Sequence, residues 1–122
     1  MTKILVADDD PYARELIRAV AGDEAGNEIL EAANGVDALR LALLERPEVA
    51  FLDVCMPDLN GFEVCRAIKA DPITRTIHVL LFTGLDDAQV MAQALAAGAD
   101  GFFRKPLTPQ ALRKHLHDLQ AD

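Results

Sequence analysis

Three short stretches of the chain carry no polar side chain: Ile4–Ala7 (ILVA), Val49–Leu52 (VAFL) and Val79–Phe82 (VLLF). A strand with one wet face alternates apolar and polar residues, so a wholly apolar run implies cover on both faces. A parallel sheet between two layers of helix provides that cover. Two weaker runs, Glu28–Ala32 (EILEA) and Gly101–Phe103 (GFF), supply candidate flanking strands.

Between the runs the apolar period changes from two to about 3.6. Ala13, Leu16, Ile17 and Val20 form one stripe, with Asp10 placed to cap the helix and Pro11 as its first residue. Asn34 caps a predicted helix over Val36–Leu44 that buries Ala38, Leu39 and Ala42. Gly61–Ala70 carries Phe62, Cys65 and Ile68 on one stripe, and Ala88–Ala97 carries Met91, Ala94 and Leu95. Gly98 stands where a left-handed residue ends a helix. Thr108-Pro109 opens a last helix with Leu112, Leu116 and Leu119 facing inward. Five strands and five helices in alternation predict one α/β domain over residues 1–122, a doubly wound parallel sheet with right-handed crossovers and helices on both faces.

Composition narrows the function. At 51% apolar and 26% charged residues the chain can build one core and is not disorder-like. Its formal charge of −8 argues against direct nucleic acid binding, for lack of a positive field. No apolar run approaches the ~20 residues that span a bilayer, and no signal peptide precedes the first strand, which predicts a cytoplasmic protein away from membranes. Cys55 and Cys65 have no metal-like or redox spacing and read as unpaired thiols.

One segment resists a purely structural explanation. In Lys3–Pro11 (KILVADDDP) an apolar strand runs into three successive carboxylates. At about 4 Å and an effective dielectric of about 20, each such pair repels by roughly 4 kcal/mol. Asp10 is accounted for as the helix cap; Asp8 and Asp9 are not. Ligands of open α/β sheets bind beyond the carboxyl ends of the strands. Asp8 and Asp9 follow the first strand there, Asp53 the third, Thr83-Gly84 the fourth and Lys105-Pro106 the fifth. Carboxylates from two strands call for a hard cation, and oxygen ligands with room for water suit Mg²⁺, with Mn²⁺ as a substitute. His78, His115 and His117 lie away from this rim, which argues against zinc. Asp53 is placed to attack phosphorus as a nucleophile, with Lys105, the Thr83 hydroxyl and the cation meeting the charge on the transferring group.

The segments KILVADDDP (3–11), FLDVCMPDLNG (51–61), LLFTG (80–84) and GADGFFRKPL (98–107) together resemble the receiver domain of two-component response regulators, over essentially the whole chain. The resemblance implies a flavodoxin-like sheet of order 2-1-3-4-5. It implies Asp53 as phosphoacceptor and Asp9 as direct Mg²⁺ ligand, with Asp8 helping through water and the Cys55 backbone carbonyl completing the protein ligands. Thr83 and Lys105 match the residues that meet the phosphoryl group, and the Lys105-Pro106 bond is expected to be cis. Thr83 and Phe102 match the switch pair, whereas Cys55 and Leu85 match positions that tune phosphoryl lifetime.

A sensor histidine kinase or phosphotransfer protein would donate the phosphoryl group. The surface of the fourth helix, fifth strand and fifth helix would then change partners, including a second copy of the chain as a phosphorylation-linked homodimer. Such a domain assists its own phosphorylation and dephosphorylation and is not a turnover enzyme. Two rivals remain: a receiver-like binding module that works without phosphorylation, and a Mg²⁺-dependent phosphohydrolase with an Asp nucleophile. The hydrolase motif Asp-x-Asp-x-Thr meets Tyr12 at its last position, and repeated hydrolysis of small phosphoesters would distinguish it. Kinase, stimulus and output are left open, as is whether the chain acts alone or as part of a longer protein.

Overall fold

The apolar runs form the middle of the sheet. The computed structural model describes residues 2–84 and 88–120, with side chains as far as residue 118. In chain order the elements are β1 (Lys3–Ala7), α1 (Pro11–Ile17), β2 (Glu28–Ala32), α2 (Gly35–Glu45), β3 (Val49–Asp53), α3 (Gly61–Ala70), β4 (His78–Thr83), α4 (Ala88–Ala96), β5 (Gly101–Arg104) and α5 (Pro109–Gln120). All five strands are parallel, in the order β2-β1-β3-β4-β5. The winding reverses between β1 and β3, which are neighbours in the sheet, and the crevice of such a fold opens at that reversal.

Alternate strand residues serve two cores. Ile4, Val6, Phe51, Leu80 and Phe82 pack with Ile17, Val20, Leu112 and Leu116 under α1 and α5. Leu5, Ala7, Ala50, Leu52, Val79 and Leu81 pack with Ala38, Ala42, Val64, Cys65, Ile68, Val90 and Ala94 on the other face. The first core holds an aromatic run in which Phe103 stacks on Phe82 at 5.9 Å and on His115 at 4.1 Å. Truncating a buried side chain such as Phe51 would cost about 3–5 kcal/mol.

The predicted caps are present. The Asp10 side chain accepts from the Tyr12 N–H at 2.9 Å, and Asn34 from the Asp37 N–H at 2.8 Å. Gly98 has φ +86°, as a left-handed helix end requires. At α3 a reciprocal cap appears that the sequence reading did not include: Glu63 N–H donates to Asn60, and Asn60 N–H donates to the Glu63 carboxylate.

Two helices depart from expectation. The first does not keep its 3.6 period; after Ile17 it continues as a π-helix over Arg18–Glu24. Three consecutive residues of this wider coil, Val20, Ala21 and Gly22, are all buried. In α4 the expected stripe of Met91, Ala94 and Leu95 is corrected to Val90 and Ala94, continued by Ala97 just past the helix end. Met91 is 48% and Leu95 72% exposed. Two apolar stripes overlap on this short helix, and the smaller side chains occupy the face that meets the sheet. Leu119, expected to face inward, has its side chain outside the described residues.

Candidate functional site

Asp53 ends β3, a strand buried along its whole length, so the strand delivers a carboxylate to the rim with only 4% of the residue exposed. The following turn holds it there. The Val54 N–H donates to the Phe82 carbonyl, and the Gly61 N–H donates to the Val54 carbonyl, both at 2.9 Å. At Gly61 a Cβ would lie 2.5 Å from the Asp53 carbonyl oxygen, so only glycine lets α3 start this close to the Asp53 backbone. Sequence reasoning took Gly61 as the first residue of a predicted helix and missed this role.

The β1 end is built differently. Asp8 is fully buried and multiply held: its N–H donates to the Ala32 carbonyl at 3.1 Å, and its Oδ1 accepts from the Asp10 N–H at 2.9 Å. Its Oδ2 accepts from Lys105 Nζ at 3.0 Å. Asp9 is exposed and makes no hydrogen bond or ion pair within the described residues. One carboxylate oxygen from each of Asp8, Asp9 and Asp53 lies within 4.8 Å of the others. This donor set is all hard oxygen and opens to solvent on the Asp9 side, which fits a Mg²⁺ ion that keeps several waters.

Lys105 follows β5 and reaches back across the rim. Its Nζ lies 3.0 Å from Asp8 Oδ2 and 3.4 Å from Asp53 Oδ2, and 5.4 Å above the Phe82 ring. The Lys105-Pro106 bond is cis, as expected. Burial disfavours the Lys105 charge, but the hydrogen bond to Asp8 and the charges of Asp53 and Asp8 outweigh it, and its pKa is raised. For Asp53 the balance is opposite. Burial, then the Asp8 charge, push it up to about 6, and Lys105 only partly offsets them. One ammonium does not neutralise this pocket.

The remaining predicted residues fall around this centre. Thr83 ends β4, buried to 1%, and its carbonyl accepts from the Lys105 N–H at 2.8 Å. Cys55 is exposed, and its N–H donates to Asp53 Oδ1 at 3.4 Å. Phe102 lies half-buried on the other side of β5 from Phe103, against the core that includes α4. Leu85 lies outside the described residues. Both thiols are free; burial pushes Cys65 up to about 11, and it donates to the Ala97 carbonyl at 3.4 Å.

Residues 4–117 match the family model described as the response regulator receiver domain. The chain is 41% identical over 117 residues to the response regulator PleD of Caulobacter vibrioides, covering 96% of this chain and 26% of that protein. It therefore spans about a quarter of this relative's length. To the protein PilH of Pseudomonas aeruginosa it is 32% identical, with 99% of each chain covered. Among solved structures, the signal receiver domain of a signal transduction histidine kinase from Syntrophus aciditrophicus superposes with a TM-score of 0.90 at 34% identity, covering 99% of this chain and 91% of that one. No described helix is long and apolar enough to cross a membrane.

Proposed function

The chain belongs to the response regulator receiver domain family, a family of signalling domains controlled by phosphorylation, and on that premise we propose that Asp53 is its phosphoacceptor, with Mg²⁺ held by Asp9 and Asp53 and by Asp8 through water. One observation carries this reading. Three carboxylates from two strands converge within 4.8 Å beside Lys105, at the reversal point of the sheet. Both Asp8 oxygens are already engaged by Asp10 and Lys105, which suits contact through water, whereas Asp9 is open. The Cys55 carbonyl is the remaining proposed ligand.

An Asp53 oxygen attacks the phosphorus of a phosphohistidine, the P–N bond breaks, and its electron pair stays on the departing imidazole. A bound Mg²⁺ would supply positive charge to the phosphoryl oxygens and would favour the ionised form of Asp53. Lys105 presents its ammonium to the same oxygens, and Thr83 presents its hydroxyl. Water later attacks the acyl phosphate, releasing inorganic phosphate and the Asp53 carboxylate, so the domain takes part in both steps while turning over no separate substrate. Cys55 and Leu85 tune that loss.

The phosphodonor docks at the α1 side, where Asp10, Tyr12, Ala13, Leu16, Pro106 and Leu107 line a groove of about 430 Å³ that reaches Lys105. Tyr12, 79% exposed, offers it an aromatic anchor. Thr83 and Phe102 carry the phosphoryl state to the α4–β5–α5 surface, where Met91 and Leu95 present unburied apolar area to a downstream partner or a second copy.

Incubation with acetyl phosphate and Mg²⁺, read by intact mass, tests this. One phosphoryl increment is expected in the wild type, and none in Asp53→Asn or after EDTA. An unlabelled wild type that still binds Mg²⁺ would overturn the phosphoacceptor assignment.

A further inference from the structure

The Asp8 backbone carbonyl is the first oxygen beyond β1, and its partner is a side chain: Arg14 Nη1 donates to it at 2.7 Å. Arg14 stands one turn into α1, and its side chain is only 21% exposed. Its Nε lies 3.4 Å from Glu31 Oε1 in β2, and the other Glu31 oxygen lies 2.5 Å from Arg18 Nη2. Glu31 pairs in register with Val6 of β1, so the clamp is anchored two residues from Asp8. The planar guanidinium fork fixes the direction of both contacts, to the carbonyl and to the carboxylate.

The geometric consequence concerns Asp9. A peptide unit is planar, so holding the Asp8 oxygen also orients the Asp9 nitrogen and directs its Cα. Asp9 has no hydrogen bond of its own to fix it among the described residues. We propose that Arg14, braced by Glu31, is a positioning residue for the Mg²⁺ site: it sets the Asp8–Asp9 peptide plane and so the direction from which Asp9 offers its carboxylate. Glu31 also offsets the positive charge that a bare guanidinium would direct at an incoming cation. The proposal rests on the reading of Asp8, Asp9 and Asp53 as a Mg²⁺ site. It adds a residue from outside the acidic cluster, and a third strand, β2, to what makes that site bind.

Calorimetric titration of Mg²⁺ into the metal-free protein, with no phosphodonor, separates this from a helix-surface ion pair that serves stability alone. Arg14→Met is expected to weaken Mg²⁺ by about tenfold, and Arg14→Lys to recover only part of the loss. Glu31→Gln, which leaves the guanidinium in place but unbraced, is expected to weaken it by about threefold and serves if Arg14→Met does not fold. Wild-type Mg²⁺ affinity in folded Arg14→Met, or in Glu31→Gln if that variant alone folds, would overturn the proposal while leaving the metal site intact. A wild type that binds no Mg²⁺ would instead remove the reading beneath it.

Discussion

Two lysine–aspartate pairs sit at opposite ends of the same sheet and behave in opposite ways. At the amino end Lys69 Nζ lies 2.7 Å from Asp100 Oδ2, and the same oxygen accepts from the Val79 N–H at 2.8 Å. Lys69 also donates to the Ile77 and Arg75 carbonyls. Burial raises the Asp100 pKa, but the bonds from Lys69 and Val79 outweigh it, and the carboxyl is held below its ordinary value. At the carboxyl end Lys105 reaches Asp53 at 3.4 Å and shares itself with Asp8, and Asp53 rises to about 6. One pair is closed by donors and ties α3 to the start of β4. The other is short of positive charge, and a divalent cation can fill that shortage. A charge pair therefore reports stability or function according to whether its donors and acceptors balance.

The largest expected break of this contrast is Asp53→Asn in the metal-free protein. Holding the Asp53 charge, with its pKa raised from 3.8 to about 6, costs the fold on the order of 3 kcal/mol. Urea unfolding at pH 7 with EDTA should show Asp53→Asn to be more stable than wild type, by up to that amount. Equal or lower stability would mean that the pocket is not charge-frustrated.

Acidity provides the next test. A raised carboxyl pKa favours the folded state below 3.8, and that contribution is lost as pH rises through about 6. Metal-free wild type should thus gain stability between pH 7 and 5, and Asp53→Asn should not share that gain. Over the same interval protons compete with Mg²⁺ for Asp53, so affinity should fall by about tenfold by pH 5. Calorimetry at the two values decides it; a flat affinity would place Asp53 outside the metal site.

The smallest effect belongs to the closed pair. Asp100→Asn removes the charge that meets Lys69, and with the side chain 32% exposed the loss should be about 1 kcal/mol. Labelling by acetyl phosphate should be unchanged, because this end of the sheet touches neither Asp53 nor Lys105. Reduced labelling in a folded Asp100→Asn would show that the two ends are coupled.

The parts of the fold that were legible in the sequence are those set within a few residues. The apolar runs became β1, β3 and β4, and Asp10, Asn34 and Gly98 became caps and a helix end, because such signals act over one to three positions. Legible too was the convergence of Asp8, Asp9, Asp53, Thr83 and Lys105, since parallel strands bring all their carboxyl ends to one rim. Less legible were choices that depend on what a neighbour offers. Met91 and Leu95 fit a helical stripe as well as Val90 and Ala97 do, and only the sheet surface selects between them. Nothing in the spacing of Ile17 and Val20 announces a π-helix, which appears where Val20, Ala21 and Gly22 are buried together.

The sequence alone determined which residues could do chemistry and to which rim they would come, because side-chain period and strand direction are local properties of the chain. Tertiary structure decided how they are charged and held. The rise of Asp53 to about 6 comes from burial and from Asp8, 45 positions away in the chain. The grip of Arg14 on the Asp8 carbonyl is anchored on Glu31 across a strand pair. Desolvation and long-range pairing belong to neighbours in space, which a linear pattern does not contain.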